Sequence, residues 1–451
     1  MTPPARLAAT IELLTLVDAT PRPADATVSA FFRERRFIGS KDRAEISRAV
    51  YRAMRRHARL GWWLEQSGAE PTPRGLVLAD LIVGEGYDPD RAERSFSGGH
   101  YAPAQFTPWE RTLATRLGGH TLDHPGMPEA VAVECPPWAE AELRRALGDS
   151  FAREMGALID PAPLDLRVNA LKGERDAVLE QLRADGLNAE PTEFSPLGIR
   201  LLGRPPIMAH PLYRDGVIEI QDEGSQLVGL LVDARPGQQV IDFCAGAGGK
   251  TLAIAATMAN KGRLFATDVL DGRLLRARER FRRAGVHNVQ TRAFEGENDP
   301  WIKRHKGAFD RVLVDAPCGG SGTWRRNPDM RWRPLGPGLG ELVPLQLRLL
   351  DSAARLVKPG GRLIYATCSL LTAENEDQAE AFVAAHPDFT LMPLPEVWGE
   401  TIGRIGDTKA PSSPYLRLTP ARHNTDGFFT AIFERRMQAM PDEAGSDGPI
   451  H

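Results

Sequence analysis

Residues 240–251 read VIDFCAGAGGKT: an apolar run suited to a buried strand, a glycine-rich turn, and the start of a helix. Small residues in such a turn let a ligand approach the backbone, and the first amides of the helix offer donors to a negative group. The same texture continues downstream. Strands are expected at 239–243, 263–267, 288–294, 309–314, 362–366, 389–392 and 427–434, and helices at 249–258, 271–284, 341–357 and 373–385. Alternation of this kind builds a doubly wound, mostly parallel sheet, which binds ligands at the carboxyl ends of its strands.

Three ligand classes use a turn of this type. A nucleotide P-loop needs G-x-x-x-x-G-K-[ST]; Gly249-Lys250-Thr251 fits its end, but Cys244 stands where the first glycine belongs. A dinucleotide fingerprint needs G-x-G-x-x-G; Gly246 and Gly248 fit, but Thr251 fills the last place. S-adenosylmethionine tolerates the turn and calls for an acid at the end of the second strand, where Asp268 follows Leu264-Phe265-Ala266-Thr267.

Two later segments are more specific. Asp315-Ala316-Pro317-Cys318 follows the apolar run Phe309–Val314, and Thr367-Cys368-Ser369 follows Leu363–Ala366. Each thiol therefore belongs at the carboxyl end of a strand, on the side of the glycine turn. A lone cysteine there reads as a small buried residue. A pair beside a cofactor turn suits methylation of a pyrimidine. Carbon 5 of cytosine is too weak a nucleophile to attack a sulfonium methyl group. A thiolate added to carbon 6 turns the ring into an enamine, and a base must later remove the carbon 5 proton so that the thiolate can leave. A free thiol has a pKa of about 8.5, so its surroundings must favour the thiolate. Asp315 is placed to act as an acid or hydrogen-bond partner for the ring.

These segments together resemble the RsmB/Nop/Sun family of RNA cytosine-5 methyltransferases. The likeness includes Gly319-Gly320-Ser321-Gly322-Thr323, Arg325-Arg326-Asn327-Pro328-Asp329, Arg331-Trp332, Gln346, Leu349-Leu350, Lys358-Pro359-Gly360-Gly361, Glu374-Asn375-Glu376 and Asp426-Gly427-Phe428-Phe429, so it spans residues 160–436. It implies that Cys368 is the nucleophile, that Cys318 helps to resolve the adduct, that Asp315 contacts cytosine and that Lys250 acts in the active site. It implies an S-adenosylmethionine site formed by Cys244, Ala245, Gly246, Ala247, Gly248, Gly249, Lys250, Asp268, Arg273 and Asp315. The sequence departs from the family in two places. The usual turn is nearer CAAPGGKT, and the acid expected near the adenine after the third strand has no clear counterpart in Phe294-Glu295-Gly296-Glu297-Asn298-Asp299.

Upstream, Arg36-Phe37-Ile38-Gly39-Ser40-Lys41-Asp42-Arg43 with Val50-Tyr51-Arg52 resembles the NusB-like helical domain of the bacterial RsmB branch. Apolar spacing predicts helices through 5–69, around 109–117 and over 138–158. Residues 164–171, with Arg167-Val168-Asn169, resemble the small RNA-binding module that precedes the catalytic domain, followed by a helix at 175–185 and a strand at 199–202. The expected organisation is an all-α NusB-like domain at 1–145, a small α/β, RRM-like module at 146–223, a class I Rossmann-like methyltransferase domain with a mixed seven-stranded sheet at 224–436, and an acidic disordered tail at 437–451.

Composition narrows the partners. Hydrophobic residues at 42% and charged residues at 25% are those of a soluble globular chain, and no apolar stretch suits a signal or a membrane span, so a cytoplasmic protein is expected. The four cysteines include no C-x-x-C pair, which argues against zinc and against a disulfide framework. His100, His120 and His124 lack acidic or thiol company and read as loop residues, so no metal is expected. A net charge of -3 speaks against a strongly basic protein, but cations cluster at Arg33–Arg59, Arg273–Arg283 and Arg325–Arg333, where phosphates can bind. The expected substrate is structured RNA, small-subunit rRNA ahead of tRNA, acted on by a monomer. The other readings are a tRNA cytosine-5 methyltransferase, a methyltransferase of another acceptor, and an RNA-binding assembly factor without catalysis.

Overall fold

The computed structural model describes residues 1–333, 335–404 and 412–437; all but the first residue of the expected acidic tail lies outside them. The first 157 residues are helical. Helices Pro3–Ala19, Ala24–Glu34 and Ser40–Arg55 bury Leu13, Leu14, Phe31, Ile46 and Val50 in one core. Helices His57–Gln66, Pro73–Ala79 and Pro108–Leu117 form a second core around Leu64, Leu78, Ile82 and Leu113. Helix Pro89–Ser95, in a stretch where the sequence suggested little structure, starts at Asp88, whose carboxylate caps Arg91 N, and has proline in its first turn. The rings of His120 and His124 lie 4.9 and 5.3 Å from that of Trp63, so both histidines pack on an aromatic surface.

Strands β1 (Leu164–Val168), β2 (Ala189–Pro191), β3 (Gly198–Leu201) and β4 (Ile218–Ile220) form an antiparallel sheet in the order β2-β3-β1-β4, with helix Arg175–Ala184 between the first two strands. Asp165 and Arg200, paired across β1 and β3, make a buried bidentate ion pair at 2.7 and 2.9 Å. Arg167 and Asn169 turn toward the next domain. Arg167 donates to the Gly249 carbonyl at 2.9 Å and Asn169 to that of Ala284 at 2.9 Å. Within the expected RNA-binding module, Arg167 thus holds the back of the glycine turn and Asn169 the carboxyl end of helix Asp271–Ala284.

The large sheet contains β5 (Gln239–Asp242), β6 (Arg263–Asp268), β7 (Val289–Ala293), β8 (Phe309–Asp315), β9 (Val357–Thr367), β10 (Phe389–Leu391), β11 (Leu416–Leu418) and β12 (Phe428–Arg435). Its order is β10-β12-β9-β8-β5-β6-β7, with β11 paired to β12. β5 through β9 run parallel and β12 lies antiparallel between β9 and β10. This is the doubly wound mixed sheet that the sequence led us to expect, with one additional three-residue strand, β11. The order reverses between β5 and β8, so a crevice opens at their carboxyl ends. Buried apolar residues line both faces, among them Val240, Leu313, Ile364 and Ile432 on one side and Ile241, Val312, Leu363 and Tyr365 on the other.

The loop after β8 joins the large sheet to the helical region. Trp324, Leu370 and Leu371, from the two thiol-bearing loops, share a core with Leu143, Phe151 and Met155. Arg331, which is 1% exposed, donates to the Leu158 carbonyl, and Trp138 donates to the Arg331 carbonyl. Arg333 donates to the carbonyls of Val17, Thr20 and Arg22 at the end of the first helix. Arg325 and Arg326 are both held by Asp426. The cluster Arg325–Arg333 is therefore an internal clasp, contrary to its reading as a phosphate surface.

Candidate active site

The glycine turn is shaped by two left-handed residues. Gly248 has φ +78°, and a Cβ there would lie 2.6 Å from the Phe281 ring, so only glycine fits. Gly246 has φ +54° and open space where a Cβ would point, so its bare backbone faces the crevice. Thr251, in the first turn of helix Gly249–Thr257, donates to Asp242 Oδ2 at 2.7 Å and ties the helix to the end of β5. Burial pushes the Asp242 carboxyl up to about 7.

Asp268 ends β6, as expected. Its Oδ2 accepts from Gly246 N at 2.9 Å and its Oδ1 from Leu270 N at 2.8 Å. Each oxygen keeps a second lone pair for ligand hydroxyls. Arg273 lies 3.9 Å from Asp268, half-exposed at the rim. The structure brings these residues into one cleft of about 600 Å³ with Cys244, Ala245, Ala247, Gly249, Lys250, Asp315, Cys318 and Cys368. Gly248 turns away against Phe281. Burial and the neighbouring carboxylates raise the Cys244 thiol well above the ordinary range, which suits a wall residue. Cys135 is buried in the interdomain core with its pKa pushed up to about 12, mainly by burial.

The reacting end is held by three elements. Lys250 donates to Asp315 Oδ2 at 2.7 Å, with its ammonium 5.3 Å from the Phe428 ring centre. Burial works against that ammonium, but the Asp315 carboxylate outweighs it and the Lys250 pKa is raised. Cys318 Sγ and Cys368 Sγ lie 3.4 Å apart. The register explains the meeting: Asp315 on β8 pairs with Ala366 on β9, and each strand turns over within three residues. The hydrogen bond to Cys368 and burial raise the Cys318 thiol well above its usual range.

The loops are locked from behind. Gly322 N donates to the Cys368 carbonyl at 3.0 Å, and Gly427 N to the Gly322 carbonyl at 2.8 Å. A Cβ on Gly322 would lie 2.3 Å from the Gly427 oxygen, so the two glycines permit this approach. Asn375 donates to the Ser369 carbonyl at 2.9 Å and accepts from Thr367 at 2.5 Å, which fixes the turn that carries Cys368.

Other cleft residues had no role in the sequence reading. Phe294, Gly296 and Glu297 line it after β7, while Asp299 is engaged in capping Trp301 N. Thr323, Asn327 and Met330 form the wall on the clasp side, and Phe428 closes the floor near Lys250. Asn327 belongs to a quoted motif, but its place opposite the thiols depends on how the loop folds back.

The arrangement offers a bare-backbone cradle, a carboxylate at the second strand, and two thiols beside a lysine–carboxylate pair. It suits a ligand with hydroxyls and a negative end next to a substrate attacked by sulfur. The family described as 16S rRNA methyltransferase RsmB/F matches residues 229–434, and one described as the ferredoxin-like domain of RsmF/B-like methyltransferases matches residues 135–208. Among curated proteins, the chain is similar to the probable ribosomal RNA small subunit methyltransferase B of Synechocystis sp., 31% identical over 420 residues, or 88% of this chain and 92% of that one. Among solved structures it is similar to PH0851, with a TM-score of 0.76, 27% identity and coverage of 96% and 99%. It is also similar to a methyltransferase homolog from Pyrococcus horikoshii, with a TM-score of 0.57, 29% identity and coverage of 68% and 97%.

Proposed function

The chain belongs to the RsmB/F family of 16S rRNA methyltransferases, and from that membership we propose that it methylates carbon 5 of a cytosine in small-subunit rRNA through a covalent adduct on Cys368. S-adenosylmethionine is the cofactor and supplies an electrophilic methyl group. We assign its binding to the backbone from Cys244 to Gly249, with Asp268 for hydroxyls and Lys250, Arg273 and Asp315 at the cleft wall; the open face of Gly246 and the spare lone pairs of Asp268 support this.

Cys368 adds through Sγ to carbon 6 of the ring and makes carbon 5 nucleophilic. Asp315, with one oxygen on Lys250, keeps the other for the nitrogen edge of the cytosine. After methylation Cys318, as a thiolate once its own proton has passed to water, takes the carbon 5 proton. The electron pair of that C–H bond restores the carbon 5–carbon 6 double bond, and Cys368 leaves as thiolate. The observation that carries this reading is the 3.4 Å separation of the two sulfurs beside the Lys250–Asp315 pair. One thiol adding to carbon 6 then leaves the second near carbon 5.

A base reached this way must leave its stack. Exposed Arg273, Arg276, Arg278 and Arg282 on helix Asp271–Ala284, and Arg33, Arg36, Lys41 and Arg48 in the helical region, offer phosphate contacts. We divide the work among a helical RNA-binding domain at 1–145, a small module at 146–223 and the catalytic domain at 224–436, acting as a cytoplasmic monomer. The test is incubation with tritiated S-adenosylmethionine and unmethylated small-subunit rRNA, with tRNA in parallel, followed by nucleoside identification. Label in 5-methylcytidine from rRNA supports the reading. Label only from tRNA, label in another nucleoside, or cofactor binding without turnover on either RNA contradicts it.

A further inference from the structure

Among the described residues no large apolar side chain is more exposed than Phe37, at 79%. It stands between helices Ala24–Glu34 and Ser40–Arg55, in a turn closed by Ile38 N donating to the Arg35 carbonyl at 3.1 Å. The turn is pinned from its inner side. Ile38, 2% exposed, is part of the core of the first three helices. Arg43 Nε donates to the Ile38 carbonyl at 2.7 Å, and Arg43 Nη2 reaches the Arg36 carbonyl at 3.5 Å. The backbone on both sides of Phe37 is therefore tied down while its ring stands in solvent.

The charges around the ring are sorted. Segment 33–45 holds three acids, and each is engaged by Arg35 or Arg6. Glu34 pairs with Arg35 at 3.6 Å, Asp42 with Arg6 at 3.1 Å and Glu45 with Arg6 at 2.7 Å. Among the described residues no carboxylate pairs with Arg33, Arg36, Lys41 or Arg43. Arg33, Arg36 and Lys41 are exposed. Arg33, Arg36 and Arg43 border an open depression of about 470 Å³ beside Phe32.

A lone exposed apolar residue is ordinary on a protein surface. An exposed aromatic ring among unneutralised guanidinium groups is the combination that single-stranded nucleic acid uses: the ring stacks on a base and the cations take the adjacent phosphates. A duplex keeps its bases inside the stack and offers the ring only sugar and phosphate, so the occupant that fits is an unpaired nucleotide.

We propose that Phe37 stacks on an unpaired base of the RNA substrate while Arg33, Arg36 and Arg43 hold its neighbouring phosphates. The proposal rests on the RNA reading given above and adds a nucleotide site outside the catalytic cleft. Helix Ala24–Glu34 connects the two. Asp329, on the loop that walls the cleft, accepts from Ala24 N at its start, and the Phe37 turn follows its end. The helix has 11 residues, so its ends lie about 15 Å apart. The platform is thus set rigidly against the cleft wall, and it selects RNA with an unpaired base at a fixed distance from the target cytosine.

The experiment is filter binding of the full-length chain to unmethylated small-subunit rRNA, to an unstructured oligoribonucleotide and to a blunt RNA duplex of the same length. Phe37→Ala is expected to weaken binding of the single strand and of rRNA about tenfold, with duplex binding within about twofold of wild type. Phe37→Trp, which keeps a stacking face, is expected to bind all three as wild type does or more tightly. The double variant Arg33→Ala, Arg36→Ala is expected to weaken single strand and duplex alike and to lower the log–log salt slope for the single strand by about 1.4. Wild-type affinity of Phe37→Ala for the single strand or for rRNA overturns the proposal. So do equal losses on single strand and duplex, or a Phe37→Trp variant that binds no better than Phe37→Ala. A wild-type chain that binds none of the three RNAs refutes the RNA reading instead.

Discussion

Asp329, eleven residues beyond Cys318, accepts a hydrogen bond at 2.9 Å from the backbone N–H of Ala24, the first residue of the second helix, 305 positions away in the chain. The catalytic domain thus caps a helix of the amino-terminal region, and the same carboxylate oxygen receives Arg333 at 3.1 Å. Trp332 adds a bond to the Met54 carbonyl at 3.0 Å. The wall of the cleft that carries Asn327 and Met330 is braced by helices read as an RNA-binding domain.

Replacing this cap should loosen both parts. Asp329→Ala is expected to cost about 1–3 kcal/mol, the range for losing a charged cap whose partners remain buried. Thermal melting of the full chain checks it, and methylation should fall further than cofactor binding, because the clasp shapes the substrate side of the cleft.

Lys250→Met should lower kcat about 100-fold, since it removes a charge-assisted hydrogen bond of about 1.5–3 kcal/mol from the group that holds the ring. Overall RNA affinity, measured by filter binding, should change little, because Lys250 is buried and does not reach phosphates.

Asp242 makes stability depend on pH in a stated direction. Its carboxyl titrates near 7 in the folded chain against a usual 3.8, because burial penalises the charge. The folded state therefore binds more protons than the unfolded state between those values. The contribution is fully present below pH 3.8 and is lost as pH rises through 7, on the order of 4 kcal/mol in all. Asp242→Asn should match wild type near pH 4 and gain on it toward pH 8 in melting temperature. Parallel curves for the two proteins would count against the assignment.

Gly322→Ala places a methyl group within 2.3 Å of the Gly427 carbonyl oxygen. Backbone cannot yield as a side-chain tip does, so a loss of about 1–3 kcal/mol is expected. The loop must shift where it holds the Cys368 carbonyl, so adduct yield should fall as well. Both are measured on one preparation.

Much of the site was legible because its chemistry is local. Asp268, Asp315, Cys318 and Cys368 each follow an apolar run, and a parallel sheet brings such ends together without long-range information. The single Sγ–Sγ contact needed only that β8 and β9 be neighbours. What the sequence hid depends on contacts far along the chain. Arg325, Arg331 and Arg333 form a dense cationic run that reads as a phosphate surface, yet their partners are Asp426, the Leu158 carbonyl and the end of the first helix. Arg167 and Asn169 likewise looked like the start of an RNA module, yet Arg167 braces the glycine turn and Asn169 the end of helix Asp271–Ala284. Strand β11 is three residues long and flanked by Pro414 and Pro420, too short for alternation to register. Helix Pro89–Ser95 was signalled by Asp88-Pro89 but masked by the glycines and histidines that follow it.

The most direct test maps the sulfur that carries the base. Cys318→Ala is incubated with S-adenosylmethionine and unmethylated small-subunit rRNA, the denaturant-stable complex is isolated and digested, and the nucleotide-bearing peptide is sequenced by mass spectrometry. The account predicts a methylated cytidine bonded to Cys368, and no complex with Cys368→Ala. A nucleotide on Cys244 or any residue other than Cys368, or no complex while 5-methylcytidine still forms at the wild-type rate, would contradict it.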